Sequence, residues 1–553
     1  MELTSVVVVP ARDEEHRIAG CVAALGAQTV SRCEFEVVLV LDRCADRTAE
    51  VAERSARRFG LRLFLVEGPG VGAGAARRLG MDLAAERLLS RGLAHGLIAT
   101  TDADSRPAPD WLARQLAHVR DGARAIAGLI ELDPDEMRML APEVLDRRER
   151  DAAERLGRVR EADPSAAHHH FAGASIGVTA GAYRAVGGLE PVVALEDATF
   201  AERLAGYGIP ILRPGDVRVR TSARATGRAA RGLAVDLAVS TWAARRRYTA
   251  DAFPPGLLRR HKASTTVGVV IPTKECADTL GDVVAHTVEP LREAGVVDDV
   301  LVVDAASADG TAQIAREAGV RVIEQDEVLA DHGPALGKGD AMWRALHATS
   351  TDIVCFLDGD TGNPHPHHLQ GLIGPLLVDP TIQLVKGAFD RPLLAGGVAL
   401  PNEGGRVTEV MARPLLNLHE PRLAGFEQPL AGEFAGRRDL LESISFPVGY
   451  GVEIAVLIDA LHRHGLDALA ECHLGSRQNR HQPLRALGEM AYAVLAAVER
   501  RIGERGTPIG GHYVRPWDDY AVANVAVAER PPLATLALER EAGSVTTGAR
   551  RAA

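Results

Sequence analysis

One order of elements runs twice through this chain, and the repeat limits the folds open to it. Residues 5–10, SVVVVP, read as a strand ending at Pro10; a polar turn and an amphipathic helix follow, and FEVVLVLD ends a second strand at Asp42. After residue 264 the layout recurs: VGVVIP ends at Pro272, a helix follows, and DVLVVD ends at Asp304. Pro10 and Asp42 are as far apart as Pro272 and Asp304. Asp46-Arg-Thr48 and Asp309-Gly-Thr311 each open the next helix, and a glycine-rich stretch follows, GVGAGAARRLG at 70–80 and LGKGDAMWRAL at 336–346. Each copy then has a strand ending in paired carboxylates, Asp102 with Asp104 and Asp358 with Asp360. Supersecondary order repeated in such detail implies a duplicated α/β nucleotide-binding unit.

The boundary between the copies follows from composition. An Ala/Arg-rich helical pattern after Thr221 breaks at Phe253-Pro254-Pro255 and the basic run LLRRHK. The expected division is a first domain at 1–249, a linker at 250–265, a second domain at 266–530 and a disordered tail at 531–553, where periodicity is lost. With 553 residues, 46% hydrophobic, the chain can bury more than one core. Its net charge of −11 argues against nucleic acid or an anionic membrane as the main partner, and no apolar run approaches the ~20 residues of a membrane span. The start of the chain lacks the pattern of a secretory signal, and the six cysteines form no CxxC pair. A cytoplasmic protein with reduced thiols is expected.

Paired aspartates at the end of a strand carry specific chemistry. Residues i and i+2 of a strand face one side, so Asp358 and Asp360 can meet one ligand at the carboxyl edge of the sheet. Two hard oxygen donors suit Mg²⁺ or Mn²⁺ carrying a diphosphate, although a solvated Asp-Gly turn has the same sequence. The only lysines are Lys262, Lys274, Lys338 and Lys386 in a chain otherwise rich in arginine. Lys338, between two glycines, reads as a point-charge contact to phosphate. Gly405-Arg406-Val407-Thr408 precedes a helical run, so its N–H groups, Arg406 and Thr408 can form an anion site as well as a capped helix start. Glu453, in the apolar segment GYGVEIAVLID, is costly to bury unpaired.

Those motifs, with Asn363-Pro364-His365-Pro366, Gln383-Leu-Val-Lys386, Gln428-Pro429-Leu-Ala-Gly432-Glu433 and Gly449-Tyr450-Gly451-Val452-Glu453, resemble glucosyl-3-phosphoglycerate synthases, retaining glycosyltransferases of the GT-A fold. The likeness spans about 265–500. It implies a metal held by Asp358 and Asp360 (Asp360 directly), with Asn479 at the position of a metal-binding histidine and His481 two residues on. It also implies a nucleotide sugar bound by Pro272, Thr273, Glu275, Asp304, Lys338, Asp358 and Gly359, and donor hydroxyls held by Glu453. The phosphate of 3-phosphoglycerate falls to Gly405, Arg406 and Thr408, with His481 beside the acceptor; Lys338 and Glu453 count as catalytic. A homodimer is implied by the same likeness. Two departures stand out: Thr-Lys-Glu275-Cys276 follows Pro272 where the family has Ala-x-Asn-Glu, and Ala305 replaces a serine. His365, His367 and His368 read as turn residues.

The first copy resembles family 2 glycosyltransferases, which are inverting GT-A enzymes, through Pro10-Ala-Arg-Asp13-Glu14-Glu15, Asp42, Asp102-Ala-Asp104, Gly173-Ala174-Ser175-Ile-Gly177 and Leu195-Glu196-Asp197. The likeness implies Pro10, Glu14, Asp42 and Asp102 at the nucleotide sugar, Asp104 at a metal and Asp197 as the base that deprotonates the acceptor. Glu196-Asp197 can equally cap its helix, and both roles can coexist. His168-His169-His170 reads as a polar loop before a metal site, since consecutive residues rarely converge on one ion.

The expected fold is therefore α/β, two tandem GT-A domains of Rossmann-like nucleotide-diphospho-sugar transferase type. The expected activity is glucose transfer from a nucleotide donor, UDP-glucose foremost, to 3-phosphoglycerate, beside a second and inverting transferase. Transfer of mannose, another phosphorylated acceptor, or a non-catalytic scaffold role for one half are the rival expectations.

Overall fold

Val6 and Val8 of the first strand face one apolar cluster and Val7 and Val9 face another, so helices cover the sheet on both sides. That is why the strand is an uninterrupted valine run rather than an alternating one. The computed structural model describes residues 3–190, 196–225, 231–391, 393–395, 398–400, 404–477, 483–503, 509–515, 517–518 and 520–536. It is mixed α/β throughout and divides into two units, Met1–Thr241 and Trp242–Ala553.

In the first unit, Ser5–Ala11 pairs in parallel with Phe35–Leu41 on one side and Leu97–Thr100 on the other. Phe35–Leu41 pairs in parallel with Leu63–Glu67. Beyond Leu97–Thr100 the sheet turns antiparallel at Ile176–Thr179, which pairs antiparallel with Ala125–Ala127; Ile211–Leu212 closes the edge. A small second sheet joins Arg218–Thr221 to Arg106–Pro107 and Leu129–Leu132.

The second unit repeats this order. Val267–Thr273 lies between Asp299–Asp304 and Ile353–Phe356, and Arg321–Glu324 extends the parallel side. Phe434–Arg437 is the antiparallel strand; Leu384–Asp390 and Leu469–Ser476 follow it. The strand that carries the aspartates therefore occupies the reversal of sheet direction in both units, where α/β folds place ligands.

Two expectations about the segments flanking the second unit are corrected. The stretch 250–265 is not a linker: Pro255–Lys262 is a helix, and Phe253 and Leu258 are buried in the core of the second unit. Before it, Arg247–Thr249 adds an eighth strand beside Leu469–Ser476, and Trp242 is fully buried, its Nε1 donating to Leu469 O at 2.7 Å. The proline pair that suggested a break instead starts a helix, a position where a missing N–H costs nothing. The start of the supposed tail is also ordered: Glu529–Arg530 pairs with Phe446–Pro447, Trp343 Nε1 donates to Pro531 O at 2.8 Å, and Leu533 is buried. Residues 537–553 lie outside the described residues. All six cysteines are free thiols, and among the described residues no helix is long and apolar enough to cross a membrane.

Candidate active sites

The loop after the first strand is built identically in both units. Asp13 and Glu275 both adopt left-handed backbone, φ 50° and 52°, and their carboxylates accept from Ala45 N at 2.6 Å and Ala308 N at 3.0 Å. Thr48 and Thr311 hydroxyls accept from Glu14 N and Cys276 N at 2.7 and 2.9 Å. Glu275 is thus the counterpart of Asp13, a brace between two loops, and Cys276 is the counterpart of Glu14. Glu275, expected at the nucleotide sugar, has Oε1 accepting from Ala308 N, and the Cys276 thiol stands at the position of the Glu14 carboxylate.

In the second unit the charged groups converge on Asp358. Lys338 Nζ lies 2.7 Å from Asp358 Oδ1 and 3.2 Å from Glu453 Oε1. Arg477 Nη2 lies 3.4 Å from Asp358 Oδ2 and donates to Thr361 Oγ1 at 2.6 Å, while Nη1 pairs with Glu433. Burial alone would raise the Asp358 carboxyl, but Lys338 and Arg477 outweigh it and hold it well below the usual carboxylate range. Lys338 is the mirror case: burial disfavours its charge, yet Asp358 and Glu453 raise its proton affinity. Gly337 (φ +151°) and Gly339 flank it because the start of this helix presses on the backbone of residues 447–448, leaving no room for a Cβ.

Asp360, two residues on, is different. Among the described residues it has no ion pair, and burial and the neighbouring Asp358 raise its carboxyl. A carboxylate without an ion pair beside a cluster of anchored charges suits a hard cation, so the residues present fit a divalent ion, and Asp360 is the carboxylate that would hold it. Asp358, occupied by Lys338 and Arg477, stands behind it. Asn479 and His481 lie outside the described residues.

The other expected residues sort into contact and support. Asp304 is buried and accepts from Thr273 Oγ1 at 3.0 Å and from Ser307 N and Oγ at 2.8 and 2.7 Å, so Ser307 takes the place of the serine missing at Ala305. Pro272 is followed by that Thr273 at the strand end, and Gly359 packs against the Thr273 methyl. Gly405 (φ +68°) precedes a helical run with a π turn at Thr408–Ala412; Thr408 is buried and Glu409 N donates to Gly405 O at 3.1 Å. His365 caps the helix Pro366–Val378, its Nδ1 accepting from His367 N at 3.2 Å.

Several charged residues of this site have no role assigned by the sequence. Arg391 stacks over Phe389, 4.7 Å from the ring centroid, and Arg477 approaches the same ring at 5.1 Å. Burial and Arg477 both lower the proton affinity of Arg391, so a nearby anion would be welcome. Lys386 is wholly buried, donates to Ala431 O at 2.5 Å, and burial brings it down to about 7. Glu433 is pushed up to about 7 by burial, against the pull of Arg477. Arginine abundance hid Arg391 and Arg477; only their place directly after sheet strands could have flagged them.

The first unit repeats the theme with different cations. Arg77, buried in the helix Ala73–Leu89, bridges Asp102 Oδ1 at 2.7 Å and Glu196 Oε1 at 3.0 Å, and also donates to Thr100 Oγ1 and Gly173 O. It joins the first aspartate to a helix-start glutamate, as Lys338 joins Asp358 to Glu453. Arg224 grips Glu14 at 2.5 and 3.0 Å and Asp104 at 2.9 Å. Burial and Asp102 push Asp104 up to about 6 despite Arg224. Asp42 accepts from Gly70 N and Gly72 N at 2.5 and 3.0 Å, just beyond Pro10 on the neighbouring strand. Asp197 sits in the first turn of Glu196–Gly206, accepts from Ala198 N at 2.9 Å and Gly173 N at 3.3 Å, and is raised by burial and by Glu196. His168 and His170 brace their loop: His168 Nε2 bonds to Pro214 O, and the two Nδ1 atoms accept from His170 N and Ile130 N.

Comparison with known proteins adds to this geometry. The family described as Glycosyl transferase family 2 matches residues 6–175 and 268–392, just over half of the chain. The chain is 42% identical over 282 residues to glucosyl-3-phosphoglycerate synthase of Mycolicibacterium smegmatis, an alignment covering 50% of this chain and 92% of that protein. Among solved structures, glucosyl-3-phosphoglycerate synthase from Mycobacterium tuberculosis in complex with Mn²⁺, UDP-glucose and phosphoglyceric acid is 39% identical over 51% of this chain and 95% of its own, with a TM-score of 0.47. Mannosyl-3-phosphoglycerate synthase from Rubrobacter xylanophilus is 41% identical over 53% of this chain and 98% of its own, with a TM-score of 0.48.

Proposed function

Since this chain belongs to glycosyl transferase family 2 and is a glycosyltransferase, we propose that its second unit transfers glucose from a nucleotide donor, UDP-glucose foremost, to 3-phosphoglycerate with retention. The observation that carries this reading is the Lys338–Asp358–Glu453 cluster set beside Asp360, which has no ion pair among the described residues. Its supports are the repeated GT-A-like sheet, with carboxylates at the reversal of strand direction, and a relative of known name matched over nearly its whole length. Asp360 would hold Mg²⁺ or Mn²⁺, which when bound neutralises charge developing on the leaving diphosphate.

The chain's own residues then act as follows. The Lys338 ammonium, already fixed by two carboxylates, faces the leaving group without reorganising. Glu453 keeps one oxygen on Lys338 and offers the other to donor hydroxyls. Gly405, Arg406 and Thr408, with Arg391 alongside, receive the acceptor phosphate. The acceptor hydroxyl bonds to the anomeric carbon, the bond from that carbon to the diphosphate breaks, and the hydroxyl proton passes to the departing phosphate.

The first unit is proposed as a second nucleotide-sugar transferase of inverting type, with Asp197 as base; its raised carboxyl proton affinity favours that role. The test for the second unit is product analysis after incubation with 3-phosphoglycerate, Mg²⁺ and UDP-, GDP- and ADP-linked glucose and mannose. Glucosyl-3-phosphoglycerate that vanishes in Asp360→Ala supports the reading. A mannosyl product would replace the sugar, and product retained by Asp360→Ala would refute the site.

A further inference from the structure

The first aspartates of the two strand-end pairs are both held by a cation, Asp102 by Arg77 and Asp358 by Lys338, but the second aspartates differ, although the loops after the first strands share their bracing bonds. Asp360 has no ion pair among the described residues. Its counterpart Asp104 has Oδ2 held by Arg224 at 2.9 Å, both oxygens of Glu14 are held by the same guanidinium, and Asp102 Oδ1 is held by Arg77 at 2.7 Å.

Arg224 is installed rather than adventitious. Glu136 Oε2 accepts from Ser222 Oγ at 2.6 Å and Ala223 N at 2.7 Å, and Arg224 N donates to Ser222 Oγ at 3.2 Å, so the loop is pinned one residue before the guanidinium. Glu136 is itself placed by the Asp133-capped turn Pro134–Met137 and pairs with Arg17 at 3.3 Å. Among the described residues the second unit has no counterpart of this grip, and Cys276 stands where Glu14 does.

A dication needs carboxylate oxygens that are free, and it is repelled by a guanidinium already bound to them. The strand-end carboxylates of the first unit, Asp102 and Asp104 with Glu14, therefore do not fit a divalent ion, contrary to the expectation for Asp104. We infer that the first unit binds its nucleoside diphosphate without a metal, with the Arg224 guanidinium supplying the positive charge, and that the second unit alone holds a divalent ion. This rests on the reading of the first unit as a nucleotide-sugar site. Arginine suits the role: it stays charged, and its planar fork can exchange a carboxylate for a phosphate.

The experiment counts ions and nucleotide separately on the full chain. Mn²⁺ titration followed by electron paramagnetic resonance is expected to show one ion per chain in the wild type, none in Asp360→Ala and one in Asp104→Asn. Two ions in the wild type, with one lost in Asp104→Asn, would overturn the inference. Binding of UDP, GDP and ADP to Asp360→Ala is then measured calorimetrically in chelator. Retained binding of at least one nucleotide that weakens at least tenfold on adding Arg224→Met, and recovers in part with Arg224→Lys, supports the guanidinium's role. Binding unchanged by Arg224→Met overturns that role. Loss of all nucleotide binding in chelator overturns the metal-free site, and if magnesium does not restore it, the nucleotide reading of the first unit falls as well. Circular dichroism of each variant separates these outcomes from unfolding.

Discussion

Gly432 sits where any side chain would fall on the ammonium of Lys338: a Cβ built there meets Lys338 Nζ and comes within 2.8 Å of both Asp358 carboxylate oxygens. The glycine is what lets the lysine and the aspartate meet. Gly432→Ala is therefore expected to keep the fold, displace Lys338 by a fraction of an ångström or more, and lower kcat/KM for glucosyl transfer by ~10²-fold. Steady-state kinetics beside a thermal melt checks this; unchanged kinetics would show that Lys338 does not act from its present position.

The two aspartates of the second unit should separate stability from activity. Asp358→Asn leaves Lys338 and Arg477 facing a neutral group in a largely buried setting, at a cost of about 3 kcal/mol. Asp360→Asn removes a carboxylate with no ion pair among the described residues, so its stability stays within ~0.5 kcal/mol of the wild type while Mn²⁺ binding is lost. Urea titration of both variants decides it.

Glu471 gives a stability signal with pH. Burial pushes its carboxyl up to about 7, against N–H donors from Gln428 and Glu427 and a weak contact with Arg247. A carboxyl raised on folding binds its proton more tightly in the native state, so its contribution is full below the unfolded value and is lost as pH rises towards 7. Glu471→Gln, which mimics the protonated form, should gain on the wild type by about 2 kcal/mol between pH 5 and pH 8. Parallel denaturation curves at the two pH values test it, and a constant difference would count against the shift.

Fragments of the second unit should reveal where it begins. One starting at Trp242 keeps the indole that donates to Leu469 O and packs 4.4 Å from Phe426; one starting at residue 266 loses it. The shorter fragment should be less stable by at least ~3 kcal/mol, the usual cost of deleting a buried tryptophan. Equal stability would place the boundary at 266 after all.

The repeat, the strand-end aspartates and Lys338 were legible because each rests on local pattern: apolar runs, a turn, a lysine in an arginine-rich chain. What stayed hidden depends on long-range contact. Arg224 reaches Glu14 from 210 positions away, and nothing near either residue announces the pair. Arg77 and Lys338 play matching parts from different turns of matching helices, so comparing the two copies by register alone pairs neither with the other. The misread linker has a similar origin: prolines mark both breaks and helix starts, and only the burial of Phe253 and Leu258 tells them apart.

The short strand Arg247–Thr249 has a bearing on self-association. Leu469–Ser476 is apolar and buried over most of its length, and without a neighbour on that side it would expose a row of unsatisfied N–H and C=O groups. Such a rim is a template for another molecule's backbone. Arg247 covers it with a charged residue that pairs with Glu427 and Glu471. Loosening three residues would thus turn this edge into a seed for strand-by-strand self-association.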